Sequence, residues 1–297
     1  MILKNELSKL GIFITDYVKL NSGLYEIYDG DNKYILKRVE DNGVYEFFQT
    51  QNVNSVLYPL NINGVTKIKI NNKDYYIFNY LSEVKYPEKN KVYDLMNALQ
   101  EIHTSTIIQK KMYPELDIPR FKKMYQFLKG KFEEIDNFLR LIESKEYYSD
   151  IDFMILNRYY TILDIKYYLN KLQTKILDKM ESGLEPKICL NHGNPDLNHL
   201  INKKLISFNK AKMTIPVYDI ALFYINTAEI RMNHRKIILD WLNQYEDQFY
   251  YLYFKFLVLY IYVYNLSIKS ETSYIETSNK IDDFIQIFLT EQNSDNQ

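Results

Sequence analysis

Cys189-Leu-Asn-His192-Gly-Asn194-Pro-Asp196-Leu-Asn198-His199-Leu-Ile201 is the stretch on which the reading of this chain turns. Apolar residues sit at both ends and His192-Gly193 supplies a turn in the middle. Alone it predicts a strand, a polar loop and a second short strand. Long helical patterns lie on both sides, so a strand-like insert at 188–208 interrupts an otherwise helical region. Its apolar pieces are Ile188–Leu190, Leu200-Ile201 and Leu205–Phe208.

Upstream, the first 80 residues have a different period. Residues 2–10 predict a short helix. Val18–Leu20, Leu24–Tyr28 and Tyr34–Val39 alternate apolar and polar, and Asp29-Gly30-Asp31-Asn32 turns the last two into a hairpin. Asn42 is placed to cap a helix starting near Gly43, with Val44, Phe47, Phe48 and Gln51 on one face. Lys67–Ile70, the turn Asn71–Asp74 and Tyr75–Phe78 predict a second hairpin. After Tyr80 the spacing becomes helical: Val92, Leu95, Met96, Leu99, Ile102 and His103 recur at three and four. Helical patterns follow over 120–147 and 152–181, then from Val217 to about 290, before the polar tail 291–297. The class is therefore α+β, a β-rich part over residues 1–80 and a helical part over residues 81–297. There is no repeat and no Gly/Ser/Pro linker, so the two parts are expected to share one interface.

Composition narrows the options. Of 297 residues, 46% are hydrophobic and 25% charged, enough apolar material for a large core. The net charge of -1 and the absence of a basic stripe argue against a nucleic-acid partner. Cys189 is the only cysteine, so no internal disulfide forms, which fits a reducing, cytoplasmic setting. In an apolar strand it reads as a small buried hydrophobe rather than a nucleophile. The N-terminus lacks a continuous apolar run of the signal-peptide kind. Phe249–Leu266 is strongly apolar, but Lys255 and several tyrosines interrupt it, so a buried helix is expected rather than a membrane span. The 29 tyrosines carry no mechanistic signal of their own.

Several local motifs occur in a telling order. Tyr34-Ile-Leu-Lys37-Arg ends one strand, and Tyr75-Tyr-Ile-Phe-Asn79-Tyr-Leu81 forms another that runs on into a link. Leu99-Gln-Glu-Ile-His103 closes a helix. His192-Gly-Asn-Pro-Asp-Leu-Asn-His199 is followed by Leu205-Ile-Ser207-Phe208 and by Pro216-Val-Tyr-Asp219-Ile-Ala221. In order and spacing the chain resembles the aminoglycoside phosphotransferase/choline kinase-like branch of the protein-kinase fold. Within it the chain is most similar to spore-coat-associated kinase-like proteins. The resemblance implies a two-lobed fold, with a small N-terminal β-sheet lobe holding one main helix and a large, mostly helical C-terminal lobe.

It also assigns positions. Lys37 falls where a lysine contacts nucleotide phosphates, and Asn79 and Leu81 fall at the hinge that holds the base. The partner of that lysine should be a Glu on the following helix. Val44 occupies that place, and Glu46 points away from the Val44/Phe47/Phe48 face. Asn194 stands where an Asp accepts the substrate hydroxyl's proton, and an amide has no basic site near neutral pH. His199 stands where an Asn binds magnesium, although imidazole suits softer metals. Ser207 stands where an Asp clamps the metal ions, and Asn209 beyond it is also neutral. Asp219 and His192 are expected to be structural, with Asp219 accepting hydrogen bonds from the loop backbone or capping its helix. His103 reads the same way. The four histidines, at 103, 192, 199 and 234, lack metal-ligand spacing and cysteine partners.

Three substitutions at one base and two metal positions point to a catalytically degenerate protein, a pseudokinase. Such a protein would act as a binding, scaffold or regulatory module with a protein partner, in spore assembly on the strength of the resemblance. No cofactor is then required, and no membrane is involved. The enzymatic alternative is an ATP- and magnesium-dependent small-molecule phosphotransferase that uses Asp196 as its base. A third reading is a nucleotide-binding regulator that needs Lys37 but no base.

Overall fold

A computed structural model describes residues 2–264 apart from 31, 40–42, 83, 112, 158, 228–235, 239 and 246. Asp31, the capping role of Asn42, His234 and the expected helix and tail beyond 264 lie outside the described residues. The elements run α1 (Ile2–Ser8), β1 (Asp16–Asn21), β2 (Leu24–Asp29), β3 (Asn32–Arg38), α2 (Val44–Thr50), β4 (Lys67–Ile70), β5 (Lys73–Asn79) and α3 (Glu88–Thr106). Then come β6 (Ile108–Gln109), α4 (Pro114–Glu143), α5 (Asp150–Leu156), α6 (Tyr159–Glu181), β7 (Lys187–Asn191), β8 (Leu200–Ile201), β9 (Lys204–Leu205) and β10 (Lys212–Thr214). α7 (Val217–Asn226) and α8 (Gln248–Tyr264) follow. An N-terminal antiparallel sheet and a mostly helical C-terminal region make the class α+β, as expected. Contacts group the chain into two compact units, Met1–Ile108 with Cys189–Asp219 and Gln109–Ile188 with Ile220–Gln297.

The first unit is built on a five-stranded antiparallel sheet in the order β1-β2-β3-β5-β4. Alternation sorts its side chains onto two faces. Ile27, Leu36, Ile68, Ile70, Tyr75 and Ile77 join Leu7 of α1 in one apolar cluster. The opposite parity, Ile35, Lys37, Tyr76 and Phe78, faces the other way, so a strand that reads Ile-Leu-Lys feeds a core and a site at once. The β4–β5 turn is tighter than the sequence suggests. Asn71 and Asn72 both take positive φ, 50° and 59°, the geometry of a two-residue hairpin turn, and β5 begins already at Lys73.

Helix α2 differs from expectation. Val44, Tyr45 and Phe48 are its buried residues, while Phe47 is 37% exposed and Gln51 is exposed. The buried stripe is rotated toward Tyr45, because its ring packs edge-on against Tyr76 and Phe208 and tilts on Phe78. In α3 all six periodic residues are buried, as their spacing predicts.

In the second unit, Leu128, Phe132, Ile135 and Leu139 of α4 and Ile162, Ile165, Leu169 and Leu172 of α6 are buried at helical spacing. The single helix expected over 152–181 is two, α5 and α6. Ser149 caps α5 through a reciprocal capping box with Asp152, whose carboxylate also takes Lys145 at 2.9 Å. Over the described part of Phe249–Leu266, α8 is the buried helix predicted, and Lys255, the charge that interrupts the stretch, is itself buried with the Tyr251 ring 4.4 Å from its ammonium. Among the described residues, no helix is long and apolar enough to cross a membrane.

Candidate functional site

The decisive stretch folds as β7, a tight loop and a short helical turn at Leu197–His199, then β8. Two devices fix the loop. The first is Gly193, whose φ of +78° lies in the left-handed region; an added Cβ would sit 2.0 Å from the Lys210 carbonyl oxygen. The second is Asp219 in the first turn of α7, fully buried. Its carboxylate accepts the backbone N–H of His192 at 2.7 Å and of Gly193 at 2.8 Å, and His103 Nε2 lies 3.1 Å away. The Asn191 side chain returns the favour, accepting the Asp219 N–H at 3.3 Å. A buried carboxylate is tolerable when its oxygens are met this way.

His192 continues the network. Its Nε2 lies 2.8 Å from the Ile206 carbonyl oxygen, so Nε2 carries the proton and donates. Nδ1 then accepts the Asn194 N–H at 3.3 Å. Burial holds this imidazole below its usual pKa, which keeps the neutral form that the two bonds require. His199 donates from Nδ1 to the Asn194 carbonyl oxygen at 2.8 Å, bracing the loop across five residues. Asp196 turns its carboxylate onto its own turn, where it accepts the Asn198 N–H at 2.7 Å.

A cavity of about 470 Å³ opens beside this frame, within the range of small-molecule sites. It is walled by the β1–β2 turn, by Ile35 and Lys37 of β3, by Phe78 through Leu81, and by Ile206, Ser207 and Asn209. Lys37 Nζ donates to the Ser207 hydroxyl at 2.7 Å across a separation of 170 residues. Burial pushes the Lys37 ammonium below its usual pKa. Among the described residues no carboxylate lines the cavity; its charged lining residues are Lys37 and Arg38, and Arg38 lies on the sheet parity of Leu36, with its charge beside Tyr75. Glu26, which shares the face of Ile35 and Lys37, is taken by Lys33 and the Tyr28 hydroxyl. Val44 is buried and Glu46 exposed, so α2 offers Lys37 no acid from either position.

The structure thus gathers Lys37, Asn79, Leu81, Ser207 and Asn209 on one cavity. Asn194, Asp196 and His199 form a separate hydrogen-bonded loop that does not wall it. Ser207 falls inside the piece Leu205–Phe208 that the sequence reads as strand-like, yet it sits in the left-handed conformation at φ 74° and leads Phe208 into a short helical turn. Phe208 is buried against Phe48 and His192, with centroids 4.9 and 4.8 Å away. Two contributors escaped the sequence reading. Tyr45 lines the cavity from α2, and Gly23, at φ +95°, lets the β1–β2 turn close on Arg38, whose Cβ would lie 2.8 Å from an added Cβ. The Asn21-Ser22-Gly23 turn signal was available for the second.

The donor set can be held against a magnesium ion, which takes oxygen ligands and is usually held through one or two carboxylates. Ser207 accepts from the Lys37 ammonium, a cation that would repel a metal beside it, His199 has only an imidazole nitrogen to offer, and the cavity walls described here bear no acid. No group of three or more His, Cys, Asp or Glu among the described residues is arranged to hold a metal. The residues do not fit magnesium.

No family model matches the sequence. No curated protein matches it either. Solved structures do. The aminoglycoside phosphotransferase from Alicyclobacillus acidocaldarius matches with a TM-score of 0.63 at 11% identity, covering 99% of this chain and 96% of its own. A spectinomycin phosphotransferase in complex with ADP and spectinomycin matches at 0.52 and 11%, with 97% of both chains covered. A choline kinase from Streptococcus pneumoniae matches at 0.46 and 16%, covering 97% of this chain and 98% of its own. At such identities the first two establish the fold: the chain folds as the kinase-like aminoglycoside phosphotransferases do.

Proposed function

We propose that this chain is a catalytically degenerate kinase-like protein, a pseudokinase that works by binding, as a scaffold or regulatory module. The observation that carries the reading is Lys37 held by a neutral hydroxyl in a cleft whose described walls bear no acid. Phosphoryl transfer relies on positioning and on neutralising charge with metal ions. Neither Ser207 nor His199 can hold those ions as a carboxylate and an amide oxygen would. Asn194 cannot take a proton, and losing a general base alone costs about 10²–10⁴ in rate. Asp196, the substitute base, has its carboxylate engaged by Asn198. The resemblance to spore-coat-associated proteins supports a protein partner in spore assembly. Cys189, the single cysteine of the sequence, can form no internal disulfide, which supports a reducing, cytoplasmic setting.

The test is phosphoryl transfer by the purified chain from ATP, with magnesium or manganese, to amino-sugar and amino-alcohol acceptors. Transfer at background is the expected result. Robust metal-dependent transfer that disappears in Asp196→Ala would overturn the reading in favour of a small-molecule phosphotransferase.

A further inference from the structure

We infer that the free edge of β1 pairs with the same edge of a second copy of this chain, antiparallel and about a two-fold axis at Val18, so that the two sheets run on into one. This holds whether or not the chain transfers phosphate. β1 and β4 are the outer strands of the five-stranded sheet, and they are finished differently. β4 reads Lys67-Ile-Lys69-Ile70, with both isoleucines buried and both lysines exposed. Charged residues on an outer strand guard it against edge-to-edge pairing. β1 reads Asp16-Tyr-Val-Lys-Leu-Asn21, and all of its residues are exposed, on both faces. Tyr17, Val18 and Leu20 are 41, 46 and 50% exposed, and Phe13 just ahead of the strand is 68% exposed. The strand holds no proline or glycine, and Lys19 is its one cation. The Tyr17 N–H is taken by the neighbouring Asp16 Oδ1 at 2.8 Å, as befits a donor on an outer edge. Such an edge is a template for another strand.

The sequence of β1 selects the occupant and the register. A two-fold axis normal to the sheet keeps each side chain on its own face. A residue then meets only residues of its own parity, and the residue on the axis meets itself. The overlap of Asp16–Asn21 with its copy is greatest with the axis at Val18 or at Lys19. At Lys19 two ammonium groups would stand opposite each other, which is unfavourable. At Val18 the valine meets its own copy, and each Tyr17 lies opposite the other copy's Lys19. That pairing sets ring against ammonium twice over, with no like charges opposed. The Tyr17 ring is already braced on its own sheet, edge-on to Tyr25 with centroids 6.5 Å apart. The net charge of -1 puts no long-range repulsion between two copies.

The test is sedimentation equilibrium of the full chain over a range of concentrations, with two variants of Val18. The unaltered chain should show a reversible monomer–dimer equilibrium. Val18→Lys sets two ammonium groups on the axis and should weaken the dimer on the order of tenfold. Val18→Cys should crosslink to its own copy when diamide is added as oxidant. Opposed Cα atoms in an antiparallel pair lie about 4.5–5.5 Å apart, within the span of a disulfide. Cys189 is fully buried and does not compete for the oxidant. Tyr17→Cys, about 7–8 Å from its own copy in this register, should crosslink more slowly. A monomer at every concentration, with no crosslink in Val18→Cys, overturns the inference and leaves the edge to a strand of another protein. A dimer that survives Val18→Lys unweakened and yields no crosslink places the interface elsewhere and overturns it too. Faster crosslinking at residue 17 than at residue 18 overturns the register.

Discussion

Asp219 and Lys37 are two charges withdrawn from water within the same unit, and they are treated in opposite ways. The Asp219 carboxylate is fully buried and met by two backbone N–H groups and a histidine ring. The Lys37 ammonium is part-buried and met by one neutral hydroxyl. A buried charge with a complete set of partners fixes structure, since nothing is left over for a ligand. A charge with an incomplete set costs stability and is justified by what it can bind. The loop is therefore read as scaffold and the cleft as site.

Removing the scaffold charge should give the largest effect. Asp219→Ala strands the His192 and Gly193 N–H groups and should cost about 3–5 kcal/mol in chemical denaturation. An unchanged midpoint would break the comparison at once. Gly193→Ala comes next: with a Cβ 2.0 Å from the Lys210 oxygen at φ +78°, it should cost about 2 kcal/mol or more.

A third effect follows from His192, whose folded pKa lies below its unfolded value of about 6.5 because burial penalises the cation. The unfolded chain then binds more protons in that window. This contribution to stability is complete above about pH 6.5 and is lost as the pH falls toward the folded pKa. Denaturation midpoints measured from about pH 7 to about pH 5 should decline, and the decline should shrink in His192→Gln. The smallest change in stability belongs to Lys37→Met, expected within about 1 kcal/mol of the parent, with a gain rather than a loss as the sharper outcome. A loss as large as that of Asp219→Ala would make Lys37 a structural residue.

Much of this contrast was legible in the sequence. The periodic residues of α3, the alternation of β3 and β5, and the neutral residues at 194 and 207 follow from local pattern. The expectation that Asp219 serves the loop came from the resemblance alone. The buried face of α2 was not legible, because in a seven-residue helix Tyr45 and Phe47 are equally plausible core residues, and only the aromatic neighbours Tyr76, Phe78 and Phe208 choose between them. Nor was the turn at Ser207, since an Ile-Ser-Phe run reads as a strand until its φ is known. β10, three residues long, offers too few residues for a period. The hydrogen bond between Lys37 and Ser207 joins residues 170 apart, beyond the reach of any local rule.

The central claim is that this chain has the frame of a phosphotransferase without its chemistry. The most direct measurement is magnesium-dependent ATP hydrolysis by the unaltered chain beside a triple variant, Asn194→Asp with His199→Asn and Ser207→Asp. The account predicts background hydrolysis from the unaltered chain and a gain of about 10² or more in the variant, the size that restoring a general base alone would give. Equal, metal-dependent hydrolysis by both would contradict it, because the chemistry would then reside in residues that this reading assigns to the scaffold.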